Sequence, residues 1–302
     1  MKRVLILCLA ALPLLAAAAD SFRDSWDQWH AQRVQRLTSE TGWLTLVGLY
    51  WFDEGETPFG SDPAGTIALP PAPGVPGRAG VFVRQGRDIR LKPAPGANLR
   101  IAGAPAAEQV LKVDDTGSPD ILTVGPYSMF LIRRGDRVGL RVKNPDSPVR
   151  RDFNGIDTYP PDPAWKITGR FTPHAEPRTV RIPTVLGTIE PMQAPGTLTF
   201  RLPSAPGKDL TLEPVLEEPD AGELFIIFKD STSGHETYGP GRFLYIPMPK
   251  DGKAEIDFNR AYNPPCAFTP FATCPLPPKQ NVLPVRVEAG EKSWGHPGGE
   301  HP

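Results

Sequence analysis

WKITGRF (165–171), RTVRIP (178–183), TVLGTIE (184–190), GTLTFRL (196–202), DLTLEPVLEE (209–218), ELFIIFKD (223–230) and RFLYIP (242–247) follow one another through the second half of the chain. Each is a short run rich in β-branched and aromatic residues, and Pro or Gly separates one from the next at intervals of about ten residues. That spacing predicts antiparallel strands closed into a sandwich or an open barrel. The fold class expected is therefore mainly β, with one amphipathic helix at the N-terminal side.

The helix is read from Ser21 to about Leu37, where Phe22, Trp26, Trp29, Arg33 and Leu37 recur at steps of three and four. It is expected to dock against the sheet that follows, which opens with GWLTLVGLYWF (42–52). Short strands are predicted at 81–84, 88–92, 109–113 and 121–124, and a hairpin in YSMFLIRRGDRVGLRVK (127–143). Its second arm alternates Val138, Leu140 and Val142 with Arg137, Arg141 and Lys143, which predicts one buried face and one cationic stripe. The stripe is either a solvated face or the wall of an anion-binding groove. Arg134-Gly135-Asp136 is the turn of the hairpin.

The Pro- and Asp-rich stretch NPDSPVRRDFNGIDTYPPDP (144–163) reads as a connection. The expected organisation is a leader over 1–19, a helix and small β domain over 20–143, this linker, a second antiparallel β domain over 164–292, and a tail over 293–302.

Lys2 and Arg3, an apolar run from Val4 to Leu15 and the small residues Ala17 to Ala19 make the leader a signal peptide, with cleavage expected after Ala19. The chain is then periplasmic or secreted. The apolar run falls short of the ~20 residues that span a bilayer, and no later segment is longer, so no membrane span is expected in the mature protein. In an oxidising compartment Cys266 and Cys274 are expected to pair as a disulfide closing a loop already stiffened by prolines. The formal charge of −1 becomes −3 once Lys2 and Arg3 leave, which gives no electrostatic footprint for nucleic acid. The Cys spacing does not suit a metal, and His174, His296 and His301 are scattered through loops and the tail, so neither metal nor cofactor is expected.

Polar side chains concentrate between Phe228 and Pro278. Asp230 and Thr232 end a strand and are read as caps of the next turn. Asp230, Ser233 and His235 have the chemical types of a hydrolytic triad, but lie too close together on one turn for nucleophile, base and orienter to align. Arg242 and Arg260 are the guanidinium pair of interest. With Tyr238, Asn259 and Asn263 they are candidates to clamp a small polar or anionic ligand. The other reading is a buried network in which Asp230 and Asp257 satisfy the two arginines and Thr232 joins them.

FGSDPAGTIALP (59–70) followed by GVFVRQGRDIRL (80–91) loosely resembles a forkhead-associated sandwich, though without that family's phosphopeptide-reading Ser and His. Over about 26–292 the segments WLTLVGLYWFDEGETPFGSD (43–62), RGDRVGLRVKN (134–144), FKDSTSGHETYGPGRFL (228–244) and FNRAYNPPCAFTPFATCPLPPKQNVLPVRVEAGEK (258–292) resemble an exported bacterial family known as domain of unknown function 1684. The resemblance implies no substrate and no catalytic residue. Two functional readings follow from the residues. One is a non-catalytic binding or structural module with a polar pocket near Arg242 and Arg260. The other is a hydrolase or lyase on a polar envelope-derived substrate, with Asp230, Asp257 or His235 as acid or base.

Overall fold

The structure, a computed structural model, describes residues 11–295. The expected leader therefore lies largely, and His296 and His301 wholly, outside the described residues. Among those described, no helix is long and apolar enough to cross a membrane. The chain divides into two compact units. One comprises 37–153 with 269–272, and the other the N-terminal segment to Arg36 with 154–268 and 273 onward. Helix α1 spans Ala11–Thr38.

In the first unit the strands are β1 (Leu46–Trp51), β2 (Gly55–Gly60), β3 (Ile67–Ala68), β4 (Gly80–Gln85), β5 (Asp88–Pro93), β6 (Arg100–Ile101), β7 (Ala104–Pro105), β8 (Gln109–Val110), β9 (Leu122–Val124), β10 (Tyr127–Arg134) and β11 (Arg137–Lys143). They form a six-stranded sheet, β1-β11-β10-β9-β6-β7, and a five-stranded one, β3-β2-β4-β5-β8. Phe59, Phe82, Ile89 and Leu91 from the second share one core with Met129, Leu131, Val138 and Leu140 from the first, so the two sheets make a sandwich.

The RGD triplet is a hairpin turn as read, with Arg134 opposite Arg137 and Gly135 at φ 59°. The cationic stripe is mixed, with Arg137 exposed, Lys143 half-buried and Arg141 buried. Arg141 is buried, its guanidinium 5.1 Å from the centre of the Trp43 ring, and Arg137 lies 4.0 Å from that of Trp51. Lys143 sits against Trp43 and Phe130, and burial, then the Arg141 charge, lowers its pKa. Alternation along one strand did not reveal that aromatics from neighbouring segments would flank these cations.

In the second unit β12 (Lys166–Pro183), β13 (Ile189–Phe200), β14 (Leu210–Leu212) and β17 (Lys253–Asp257) form an antiparallel sheet in the order β14-β13-β12-β17, and β15 (Glu223–Phe228) pairs with β16 (Arg242–Pro247). Leu198, Phe200, Leu224, Ile226, Leu244, Ile256 and Phe258 fill their common core. WKITGRF and RTVRIP are one 18-residue strand rather than two. The pairing with β13 shifts register between Pro173 and Arg178, and this irregularity accommodates Pro173 and Pro177. TVLGTIE is mostly the turn between β12 and β13. His174 therefore lies in a strand and not a loop, with Nε2 3.2 Å from the buried Glu213 carboxylate.

Helix α1 packs within the second unit, to which its residues to Arg36 belong. Trp26 donates its indole N–H to the Asn259 carbonyl at 3.0 Å. Arg33 donates from Nε to Glu291 Oε1 at 2.9 Å and from Nη2 to the Asn263 carbonyl at 2.8 Å, with its guanidinium 4.6 Å from the Tyr262 ring centre. A helical stripe carrying an indole N–H and a guanidinium needs acceptors where it is buried, and the 259–263 turn and Glu291 supply them.

Candidate functional site

β15 delivers Asp230 just past its last residue, and β16 begins with Arg242 beside it. Asp230 Oδ2 accepts from Arg242 Nη2 at 2.9 Å, and both side chains are wholly buried. The same guanidinium donates to the carbonyls of Val287 at 3.0 Å and Glu291 at 3.4 Å, and to that of Ala289. Asp230 Oδ1 accepts from the backbone N–H of Thr232 at 2.8 Å, its hydroxyl at 2.7 Å and the Val287 N–H at 3.2 Å. The entry into β16 requires glycine. Gly241 has φ 117°, and a Cβ there would fall 2.6 Å from the Phe228 carbonyl and 2.7 Å from Pro277.

This is the network reading of Asp230, Thr232 and Arg242. It ties the turn to the 287–291 segment and leaves Asp230's carboxylate fully engaged. Ser233 Oγ accepts from the Asp230 N–H at 3.2 Å, and His235 is exposed on the same turn.

The remaining candidates separate into scaffold and cleft. Tyr238 donates to the Cys266 carbonyl at 3.0 Å, and burial, then the charges on Cys266 and Cys274, push its hydroxyl pKa up. Asn259 is buried, with Nδ2 donating to the Asp162 carbonyl at 3.0 Å and to Asp257 Oδ1 at 2.9 Å, while its Oδ1 accepts from Asp162 N–H at 3.0 Å. Asn263 is buried and donates to the Lys292 carbonyl at 2.7 Å. These residues lock the turn after β17 in place. Cys266 and Cys274 each donate a backbone N–H to the other's Sγ, at 3.2 and 3.3 Å, and the two sulphurs are not joined in a disulfide in the structure.

Arg260 is different. Its side chain is 37 % exposed, with Nε 3.3 Å from Asp257 Oδ2 and Nη2 donating to Ser25 Oγ at 2.8 Å. It lines a cleft of about 400 Å³ with Ser21, Phe22, Ser25, Trp26, Pro163, Lys166 and Asp257. Three elements meet there: the exposed edge of α1, the turn into β12 and the end of β17. Trp26 lines the cleft with its N–H already given to Asn259, so it offers only carbon.

Of the ligand-clamp candidates, then, Arg260 lines this cleft, with Asp257 from the network set. It places Arg242, Tyr238, Asn259 and Asn263 in the scaffold. Sequence reasoning missed Ser21, Ser25 and Lys166. The helical period carried the signal for the serines, since 21 and 25 lie four apart on the edge of the stripe made by Phe22 and Trp26. Lys166 carried none, being one lysine at the start of a strand. A second polar cluster also escaped notice. Tyr159 donates to Glu236 Oε2 at 2.9 Å, and Arg286 pairs with the other oxygen. The Arg286 hydrogen bond, then that of Tyr159, lowers the Glu236 pKa.

Residues 151–292 match the family described as "Protein of unknown function (DUF1684)". No curated protein matches the chain. Among solved structures, the chain is similar to the uncharacterized protein from gene locus rrnAC0354 of Haloarcula marismortui, at 31% identity over 47% of this chain and 78% of that one, with a TM-score of 0.40. The FhaA FHA domain, solved with the intracellular domain of Rv3910, is 18% identical over 32% of this chain and 97% of that one, with a TM-score of 0.23. The FHA1 domain of yeast Rad53 is 14% identical over 38% of this chain and 66% of that one, with a TM-score of 0.20. At such TM-scores neither FHA likeness bears on what this chain binds. The matched residues 151–292 hold both the Asp230–Arg242 network and Pro163, Lys166, Asp257 and Arg260 of the cleft.

Proposed function

We propose that the protein is an extracytoplasmic, non-catalytic binding module, exported by a leader cleaved after Ala19, whose small polar or anionic ligand sits in the cleft of Lys166 and Arg260. One observation carries the reading. Arg260 presents a half-exposed guanidinium to a cavity, whereas Arg242 spends its own on Asp230 and three carbonyls. The buried residues around it are the floor that holds Arg260 in place, in keeping with the general need of a binding site for a rigid support.

In the oxidising compartment Cys266 and Cys274 join. The two thiols give up two protons and two electrons to an external protein disulfide, which leaves as a dithiol. Reciprocal N–H···S contacts hold each cysteine's backbone against the other's sulphur and support this pairing.

A thermal-shift screen against sugars, peptidoglycan fragments, nucleotides and organic acids tests the site. A ligand is expected to raise the melting temperature in a concentration-dependent way, and Lys166→Ala and Arg260→Ala to abolish that rise without altering the unliganded melt by more than a few degrees. A rise that survives in both variants would move the site elsewhere, and no rise across the library would contradict binding.

A further inference from the structure

We infer that the occupant of this cleft is a small monocarboxylate with an apolar body. The inference rests on the binding reading above and adds the chemical class. Lys166 and Arg260 against Asp257 leave the lining with one net positive charge, which a single anionic head neutralises. A second charge on the ligand would face Asp257 at the same wall.

Hydrogen-bonding capacity points the same way. Arg260 Nη2 is committed to Ser25 Oγ and Nε to the Asp257 ion pair. Nη1 of Arg260, the Ser25 hydroxyl proton and the Lys166 ammonium, which also lies 3.9 Å from Glu255 Oε2, are donors for the two oxygens of one carboxylate.

Three of the lining residues offer only carbon. Phe22 is half-buried, Pro163 has no side-chain polar atom, and Trp26 has no N–H to give because Asn259 holds it. A cleft of about 400 Å³ lies near the lower end of small-molecule sites, which suits a head group with a short acyl or aryl body and not a polymer. Each methylene moved from water onto such a wall contributes at most ~0.8 kcal/mol, so affinity climbs with chain length.

Isothermal titration of the purified protein with acetate, butyrate, hexanoate and inorganic phosphate tests this. Hexanoate is expected to bind at least ~10-fold more tightly than acetate, and phosphate no more tightly than acetate. Phe22→Ala should erase the chain-length gain. Arg260→Met should weaken hexanoate at least ~10-fold, and Arg260→Lys should recover part of it. Acetate, hexanoate and phosphate bound equally, and all lost in Arg260→Met, would overturn the monocarboxylate class while leaving an anion-binding cleft. Absence of binding by every probe to a folded protein would overturn both.

Discussion

Removing one partner of a buried ion pair leaves the other charged and out of reach of water, so at the residue scale Asp230 and Arg242 are the positions least tolerant of change. Asp230→Ala is expected to lower the unfolding free energy by about 3–5 kcal/mol, measured by urea denaturation. A loss under 1 kcal/mol would show the pair to be hydrated. Glu236 answers to pH instead. Its folded pKa lies below the ordinary 4.5, so the stability it contributes is present above about pH 4.5 and is lost as the pH falls through the lowered folded value. Glu236→Gln should therefore lower the neutral plateau of a stability-versus-pH curve slightly and flatten its acid limb by the same small amount, since the carboxylate is partly exposed. The Asp230–Arg242 network was legible in the sequence, because a carboxylate ending one strand and a guanidinium beginning the next are natural partners. Ser25 was not, because nothing in a helical serine says which distant arginine will reach it.

At the scale of elements, α1 shows why docking is harder to read than helicity. The stripe of Phe22, Trp26, Trp29, Arg33 and Leu37 gave the helix, but the acceptors for Trp26 and Arg33 lie more than 200 residues away. Arg33→Ala is expected to cost about 3–5 kcal/mol by stranding the buried Glu291 carboxylate. The double variant Arg33→Met, Glu291→Met should cost clearly less than the two single variants together, as a double-mutant cycle reads it. Strict additivity would mean the two side chains are not coupled. The 18-residue β12 carries a related lesson. Pro and Gly marked two strands in the sequence, yet a register shift absorbs a proline within one.

At the scale of the molecule, buried tyrosines set the alkaline limit. Tyr159, Tyr238, Tyr245 and Tyr262 all have raised pKa values, burial being the first cause in each. The folded chain keeps protons that the unfolded chain releases near pH 10. Their stability is therefore complete below about pH 10 and declines above it. Unfolding free energies followed from pH 8 to 12 should hold level and then fall, and Tyr238→Phe should fall less steeply. For the cysteines, oxidised protein unfolded without reductant should take up no alkylating reagent at either position, and Cys266→Ser with Cys274→Ser should cost about 2 kcal/mol. The mainly β class followed from strand spacing alone. The cleft did not, because it needs a helix, a turn and a strand end brought together from residues 21 to 260.

The central claim is that Arg260, and not Arg242, meets the ligand. The most direct measurement follows the arginine Nε–Hε signals by nitrogen-proton NMR during a hexanoate titration. The account predicts a saturable shift of the Arg260 signal, with Ser25 and Lys166 backbone amides moving alongside and the Arg242 signal unmoved. A shift centred on Arg242 and Tyr238, with Arg260 silent, would contradict it.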